Sequence, residues 1–305
     1  MALLAAPVLI AVVGPTASGK SALALALARA WGGEIVSCDS LQVYRGLDIG
    51  SAKPTAAERA EIPHHLVDVV DPDQDFSAAD YARQARAALA AIAGRGRLPI
   101  VAGGSGLYLR ALRRGLFEGP ARDPALRARL ERVAERRGDD CLHRMLARVD
   151  PESAARIPPR DRVRVVRALE VYRGSGRPLS AHHRGDERTG QDDRWLVVGL
   201  APPRDVLRVA VEARTRAMLA AGLLEEVRGL LARFPADLRP LGAIGYRQAA
   251  AMVRGERTVE EGQRDIVKET MRYAKRQMTW FRHQEDVRWF ADADAAQAAV
   301  RERLG

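Results

Sequence analysis

The sequence predicts an α/β fold: a parallel sheet with helices on both faces, interrupted by an inserted all-helical domain. Three observations carry this. Short apolar runs recur on either side of the chain's middle, VLIAVV at 8–13, EIVSC at 34–38, LPIVA at 98–102 and WLVVGL at 195–200. Such continuous runs mark strands buried on both faces. Helical segments separate the runs, and alternation of strand with helix implies a parallel sheet. From about 120 to 190 the strand runs vanish and Arg-rich helical segments replace them.

The elements follow in order. The strand at 8–13 leads into GPTASGKS at 14–21 and an Ala- and Leu-rich helix over 20–30. After the second strand at 34–38, a third is expected at 65–70 (HLVDVV) and a helix over about 78–93. LPIVA is ended by Gly103 and Gly104, and a helix begins near Ser105. Helices are expected at about 124–137, 141–148 and 160–173, then a polar loop over 180–194. WLVVGL returns the chain to the sheet. Helices at about 203–220, 222–233, 243–253 and 258–283, a short strand at 287–290 and a helix near 293–304 complete it. The expected domains are therefore 1–119 for the first part of the core, 120–194 for the helical insertion and 195–305 for the return to the core.

With 305 residues, 47% of them hydrophobic, the chain can bury a sizeable core and is neither disordered nor collagen-like. No run of ~18 uncharged apolar residues occurs, which argues against a transmembrane helix. The apolar opening MALLAAPVLIAVVG lacks a basic flank and reads as a buried strand, not a signal peptide. Cys38 and Cys141 form neither a disulfide framework nor a metal spacing, so a reducing cytoplasm is the expected setting. The net charge of +10 is uneven: the balance is −1 over residues 1–109, +8 over 110–190 and +3 over 191–305. Only four of the 49 basic residues are Lys, so part of the excess is a compositional preference for Arg. The step in charge along the chain nevertheless points to a polyanion, with nucleic acid the obvious partner.

Gly14-Pro15-Thr16-Ala17-Ser18-Gly19-Lys20-Ser21 fits G-x-x-x-x-G-K-[ST] in its proper context, strand before and helix after. Glycines let backbone N–H groups curl around phosphate oxygens, and the helix N-terminus adds partial positive charge. Lys20 supplies an ammonium, and Ser21 a hydroxyl ligand for Mg²⁺. The core is thus expected to be P-loop NTPase-like, with Gly14, Thr16, Ala17, Ser18, Gly19, Lys20 and Ser21 as the phosphate site. Nucleotide hydrolysis would also call for an apolar strand ending in an acid. LPIVA ends in Gly-Gly; Asp68 and Asp71, in and after another apolar run, stay open for that role. Asp39 directly follows the second strand. Ligands of such sheets sit at the carboxyl ends of the strands, so this carboxylate is a candidate general base facing the phosphate loop. Lys53, in Asp48-Ile49-Gly50-Ser51-Ala52-Lys53-Pro54, is a weaker candidate for a second phosphate contact.

Taken together, GPTASGKS (14–21), SCDSLQVYRGLDIGSAKPT (37–55), HHLVDVVDP (64–72), FSAADY (76–81), VAGGSGLYLRAL (101–112), DPALRARL (123–130), RVVRALEVYRGSGRPLS (164–180), GYRQ (245–248) and YAKRQMTWFR (273–282) resemble the bacterial tRNA dimethylallyltransferase (tRNA isopentenyltransferase) family over nearly the whole chain. The resemblance implies transfer of a dimethylallyl group from dimethylallyl diphosphate to N6 of the adenine 3′ of the anticodon, with diphosphate leaving. The loop would then grip a leaving diphosphate, with Mg²⁺ as cofactor on Ser21. The family's catalytic residues map onto Asp39 and Arg214. Its tRNA contacts map onto Asp39, Ser40, Leu41, Gln42, Ser105, Arg127 and the stretch Val163, Arg164, Val165, Val166 and Arg167. The target base must be extruded from its stack.

Within 262–283, Val267, Met271, Ala274, Met278 and Phe281 form one apolar stripe, while Arg264, Lys268, Arg272, Lys275 and Arg276 share another face. That basic side is a candidate RNA or diphosphate surface. Ser21 and Ser105 stand where relatives often carry Thr and keep the hydroxyl. His182 and His183 lack partner ligands at metal-binding spacing, as do His64 and His65. The expected partners are the tRNA anticodon stem-loop and dimethylallyl diphosphate, with no membrane, for a cytoplasmic monomer. The alternatives are a P-loop small-molecule kinase, with Asp39 acting on a hydroxyl, and a non-catalytic RNA-binding protein with a relict loop.

Overall fold

The structure, a computed structural model, describes residues 8–116, 119–120, 122–185 and 194–305. The chain forms two compact units, Met1–Gly115 with Asp192–Gly305, and Leu116–Gln191.

The first unit opens with β1 (Leu9–Val13), α1 (Lys20–Trp31), β2 (Gly33–Ser37), α2 (Ala56–Glu61), β3 (His64–His65), α3 (Ala78–Gly94), β4 (Leu98–Gly103) and α4 (Gly106–Arg114). The second unit holds α5 (Pro124–Arg137), α6 (Asp139–Val149), α7 (Pro151–Arg156), α8 (Arg162–Ser175) and α9 (Leu179–Gly185). The chain then returns with β5 (Trp195–Leu200), α10 (Arg204–Ala220), α11 (Leu223–Arg233), a 3₁₀ turn at Arg239–Gly242, α12 (Tyr246–Val253), α13 (Val259–Gln284), β6 (Arg288–Phe290) and α14 (Ala293–Leu304).

All strand pairs are parallel, in the order β3-β2-β4-β1-β5-β6. β1 is central and fully buried, and its side chains alternate between two cores as strand geometry requires. Ala11 and Val13 join Val36, Val101 and Val197 in the core under α3, α4, α11, α12 and α13; Ile10 and Val12 join Ile35, Ile100 and Val198 in the core under α1 and α14. Helices therefore cover both faces. Capping boxes start α2 (Thr55 with Glu58), α3 (Ser77 with Asp80) and α13 (Thr258 with Glu261).

Four expectations need correction. β3 pairs only His64–His65, because Leu66 and Asp68 take positive φ of 60° and 57° and carry the chain off the sheet. That twist delivers Asp68 to Lys53 at 2.5 Å and Arg59 at 2.8 Å. Lys53 in turn binds Asp48 and the Tyr44 carbonyl, each at 2.6 Å, with its side chain 3% exposed. It fastens this loop internally and is not offered to a phosphate; Asp68, paired with two cations, is likewise no metal-holding acid. The expected polar loop over 180–194 is helical as far as Gly185 (α9), and 186–193 lie outside the described residues.

In the second unit, Leu130, Leu142, Leu146, Val165, Val166 and Leu169 build a core of their own. The carboxylate of Glu170, 1% exposed, sits against it. Arg127 grips both Glu170 oxygens at 2.9 Å, Arg167 adds a bond at 2.6 Å and the Asp123 N–H another at 2.8 Å. Burial by itself would raise this carboxyl, but the two guanidiniums hold it down at about 2. The stability it contributes is thus present above its ordinary value of 4.5 and is lost as pH falls toward 2. Glu170→Gln leaves Arg127 without its carboxylate. It should cost about 3 kcal/mol, read as lost amide-exchange protection over 124–175; unchanged protection there would refute this account.

Candidate active site at the strand ends

Three strand ends meet at the site: the loop after β1, Asp39 two residues beyond β2, and Gly103-Gly104-Ser105 at the end of β4. They line a cavity of about 850 Å³ with residues of α10 and α13. This is the carboxyl edge of the parallel sheet, where doubly wound folds bind ligands.

The loop curls because its backbone is forced to. Gly14 has φ 147°, and a Cβ there would come within 2.7 Å of the Leu200 carbonyl on β5 and 2.9 Å of Ser18 Oγ. Ala17 and Gly19 are left-handed, at φ 63° and 88°. Consecutive amides bent in this way form an anion-binding concavity. At its end, α1 begins with no side-chain cap and no acid in its first turn, so its N–H groups point to the site without a protein acceptor. The hydroxyl of Ser18 is buried and finds no partner.

Cations surround this concavity. Lys20 donates to the Pro15 carbonyl at 3.1 Å, and Arg214 of α10 to the Thr16 hydroxyl at 3.1 Å. Burial, then the nearness of Arg214, depresses Lys20 to about 8, against the opposing pull of Asp39. Burial also lowers Arg214, again opposed by Asp39. Two cations of like sign are thus held at one point, with a single carboxylate facing them. Such a site is electrostatically incomplete until an anion enters.

Asp39, half-buried, accepts the Leu41 N–H on Oδ1 at 2.8 Å, which fixes its carboxylate at the cavity wall. Ser105 Oγ accepts the Ser40 N–H at 3.0 Å, joining the β2 and β4 turns. Gln42 accepts from the Ser37 hydroxyl at 2.7 Å and donates to the Ala52 carbonyl at 3.0 Å. Tyr273 of α13 lines the cavity, its phenol pushed up to about 12 by burial and then by Asp39. Deeper apolar walls come from Val211, Met218, Ile266 and Phe281.

The structure thus gathers Thr16, Lys20, Ser21, Asp39, Ser40, Leu41, Gln42, Ser105 and Arg214 around one cavity. Gly14, Ala17, Ser18 and Gly19 complete the loop itself; the remaining expected tRNA contacts lie in the second unit and fare differently. Val163 is 73% exposed, and Arg164 is exposed with Asp161 beside it at 2.6 Å. Val165 and Val166 are buried, because a helix that presents Val163 and Arg164 to solvent turns the next two side chains inward. Arg127 is committed to Glu170, and Arg167 to Glu170 and the Pro120 carbonyl. In this structure Val165 and Val166 pack inside the second unit, and Arg127 braces Glu170.

Sequence reasoning missed Gln277, which accepts the Thr16 N–H and donates to the Gly104 carbonyl. The signal was present: an uncharged polar residue on the buried side of α13 must find partners there. Arg264, Lys268, Arg272 and Lys275 of that helix are exposed, and Arg276, also exposed, lines the cavity. Among the described residues no group of three His, Cys, Asp or Glu could hold a metal ion, and no helix is long and apolar enough to cross a membrane.

Residues 42–284 match the family model described as IPP transferase. The chain is 52% identical over 296 residues to the tRNA dimethylallyltransferase of Anaeromyxobacter sp. (strain K), covering 97% of each. Its fold is similar to that of the full-length tRNA isopentenylpyrophosphate transferase from Bacillus halodurans, with a TM-score of 0.70, 38% identity and 98% and 96% of the two chains covered. A eukaryotic dimethylallyltransferase acting on tRNA is similar with a TM-score of 0.79 at 25% identity, covering 98% of this chain and 78% of that one. These relatives are transferases and lend no support to the small-molecule kinase alternative. A phosphate loop that feeds no hydrolytic acid, and a likeness that runs along the whole sequence, have one meaning: the chain belongs to the IPP transferase family.

Proposed function

We propose that the chain transfers the dimethylallyl group of dimethylallyl diphosphate to N6 of the adenosine 3′-adjacent to the anticodon in tRNA, releasing diphosphate. The observation that carries this reading is the meeting of an anion cradle and the Asp39 carboxylate on one cavity. A nucleotide hydrolase wants an acid that holds the metal and a group that orients water; a transfer to an amine wants a base beside the cradle, and Asp39 stands there.

The chemistry follows from the charges. The allylic C–O bond breaks as the amine nitrogen bonds to carbon, and the electron pair leaves with the diphosphate. Lys20, Arg214 and the N–H groups of α1 meet that developing charge with donors already in place, which is where electrostatic catalysis is strongest. The exocyclic amine is a weak nucleophile because its lone pair is delocalised into the ring. Asp39 accepts its proton as the C–N bond forms. The extruded base enters beside Ser40, Leu41, Gln42 and Ser105. Val163 and Arg164 on α8 and the basic face of α13 supply backbone contacts.

The donor set suits Mg²⁺. Ser21 is exposed at the cavity, and the hydroxyl at this place of a phosphate loop can join substrate phosphate oxygens and water around Mg²⁺. When bound, it would neutralise part of the diphosphate charge. The protein acts in the cytoplasm as a monomer.

Three outcomes are expected. Asp39→Asn, assayed by nucleoside analysis of unmodified tRNA incubated with labelled dimethylallyl diphosphate, should lower turnover by about 10²- to 10⁴-fold while tRNA binding is kept; unimpaired turnover would remove Asp39 from the mechanism. Lys20, lowered to about 8 in the free site, should regain its proton when an anion arrives. Calorimetry of inorganic diphosphate binding at pH 8.5–9 in buffers of different ionisation heat should then show more proton uptake for the native protein than for Lys20→Met; equal uptake would count against the assignment. Lastly, the affinity for tRNA should fall steeply with salt. Replacing both Lys268 and Arg272 by Ala should flatten the logarithmic slope by about 1 to 2, and an unaltered slope would exclude this face of α13 as an RNA surface.

A further inference from the structure

Gln277 stands on the buried side of α13, three residues after Ala274 and four before Phe281, both of them buried. A primary amide there is costly unless both its ends are paired. Both are. Its Oε1 accepts the Thr16 N–H at 2.9 Å, and its Nε2 donates to the Gly104 carbonyl at 2.9 Å. The partners fix which way the amide points, since one can only donate and the other only accept. They also come from different strand ends, Thr16 from the loop after β1 and Gly104 from the turn after β4. The fit is close: a Cβ on Gly104 would lie 2.2 Å from Nε2. Thr16 is held a second time, because its hydroxyl accepts Arg214 Nη1 at 3.1 Å. One loop residue is thus gripped from α13 by its N–H and from α10 by its side chain.

We propose that Gln277 is a positioning residue for the diphosphate site. Through Thr16 it sets the curl of the phosphate loop and, one bond further, the seat of the Arg214 guanidinium. Although Gln277 lines the cavity, both ends of its amide are spent on the protein. Thr16 is the third residue of the loop, ahead of the amides that bend toward the anion, so tying its N–H fixes the loop without using up an amide the ligand needs. This inference rests on the prenyl-transfer reading above.

The test uses the full chain and two readouts: calorimetric binding of inorganic diphosphate with Mg²⁺, and steady-state kinetics on unmodified tRNA. Gln277→Leu removes both hydrogen bonds at similar volume. It should weaken diphosphate binding and raise the KM for dimethylallyl diphosphate about tenfold or more, with tRNA affinity kept within about twofold. Gly104→Ala displaces the same amide from its other end and should reproduce the loss, which keeps the test available if Gln277→Leu folds poorly. The double variant should lose little more than either single one, because both break one link. Native diphosphate affinity and KM in these variants, with only a lowered melting temperature, would overturn the proposal and leave Gln277 a packing residue. Loss of tRNA affinity with diphosphate affinity kept would overturn it by making Gln277 an RNA contact. If the native protein itself bound no diphosphate, the prenyl-donor reading would fall, and this proposal with it.

Discussion

Lys20 and Arg214 are both largely removed from water and near enough to depress one another, and the carboxylate of Asp39 is what opposes that repulsion. Folding must supply the force that keeps them together, and much of the first unit can be read as that supply. β1 lies at the centre of six parallel strands with both faces buried, so the loop it feeds cannot drift. Leu200 on β5 presses on Gly14, and α10 brings Arg214 back to Thr16 across nearly two hundred residues of sequence. An anion of high charge entering the site would relieve that repulsion.

The same logic sorts the basic residues. Where a cation has a structural task, it is paired: Lys53 with Asp48 and Asp68, Arg127 and Arg167 with Glu170. Those pairs are deeply buried at the carboxylate or the ammonium, and each fixes a loop or a helix contact. On α13 the sequence instead exposes five cations along one face. Net charge alone does not separate these two populations. A balance of +8 over 110–190 already subtracts Glu170, yet it does not say which cations face solvent and which, like Arg127 and Arg167, are tied to that carboxylate.

This is also where the sequence stopped being readable. Strands such as LIAVV and WLVVGL announce themselves because burial on both faces needs an unbroken apolar run, and the phosphate loop does so because its glycines and Lys20 have fixed spacing. Asp39 could be placed from its position just beyond a strand. HLVDVV reads equally like a strand, yet Leu66 and Asp68 take positive φ and Asp68 pairs with Lys53, a contact that local propensity does not encode. Of the stretch Val163 to Arg167, only part faces solvent, because a helix turns Val165 and Val166 inward. The ties of Arg127 and Gln277 depend on residues 43 and 261 positions away, a separation no local pattern encodes.

α13 resolves an apparent conflict between its two faces. Its inner side must be apolar to seal the core through Ile266, Ala274 and Phe281, while its outer side carries cations that seek a polyanion. Gln277 belongs to neither pattern, and its amide is what connects the helix to the loop after β1 and the turn after β4. A hydrophobic residue at 277 would pack as well but would leave the Thr16 N–H and the Gly104 carbonyl without their partner. Since an unpaired buried group costs more than a hydrogen bond gains, the amide is best understood as fixing the loop's geometry: the helix whose outer face is basic is also the one tied to the loop after β1.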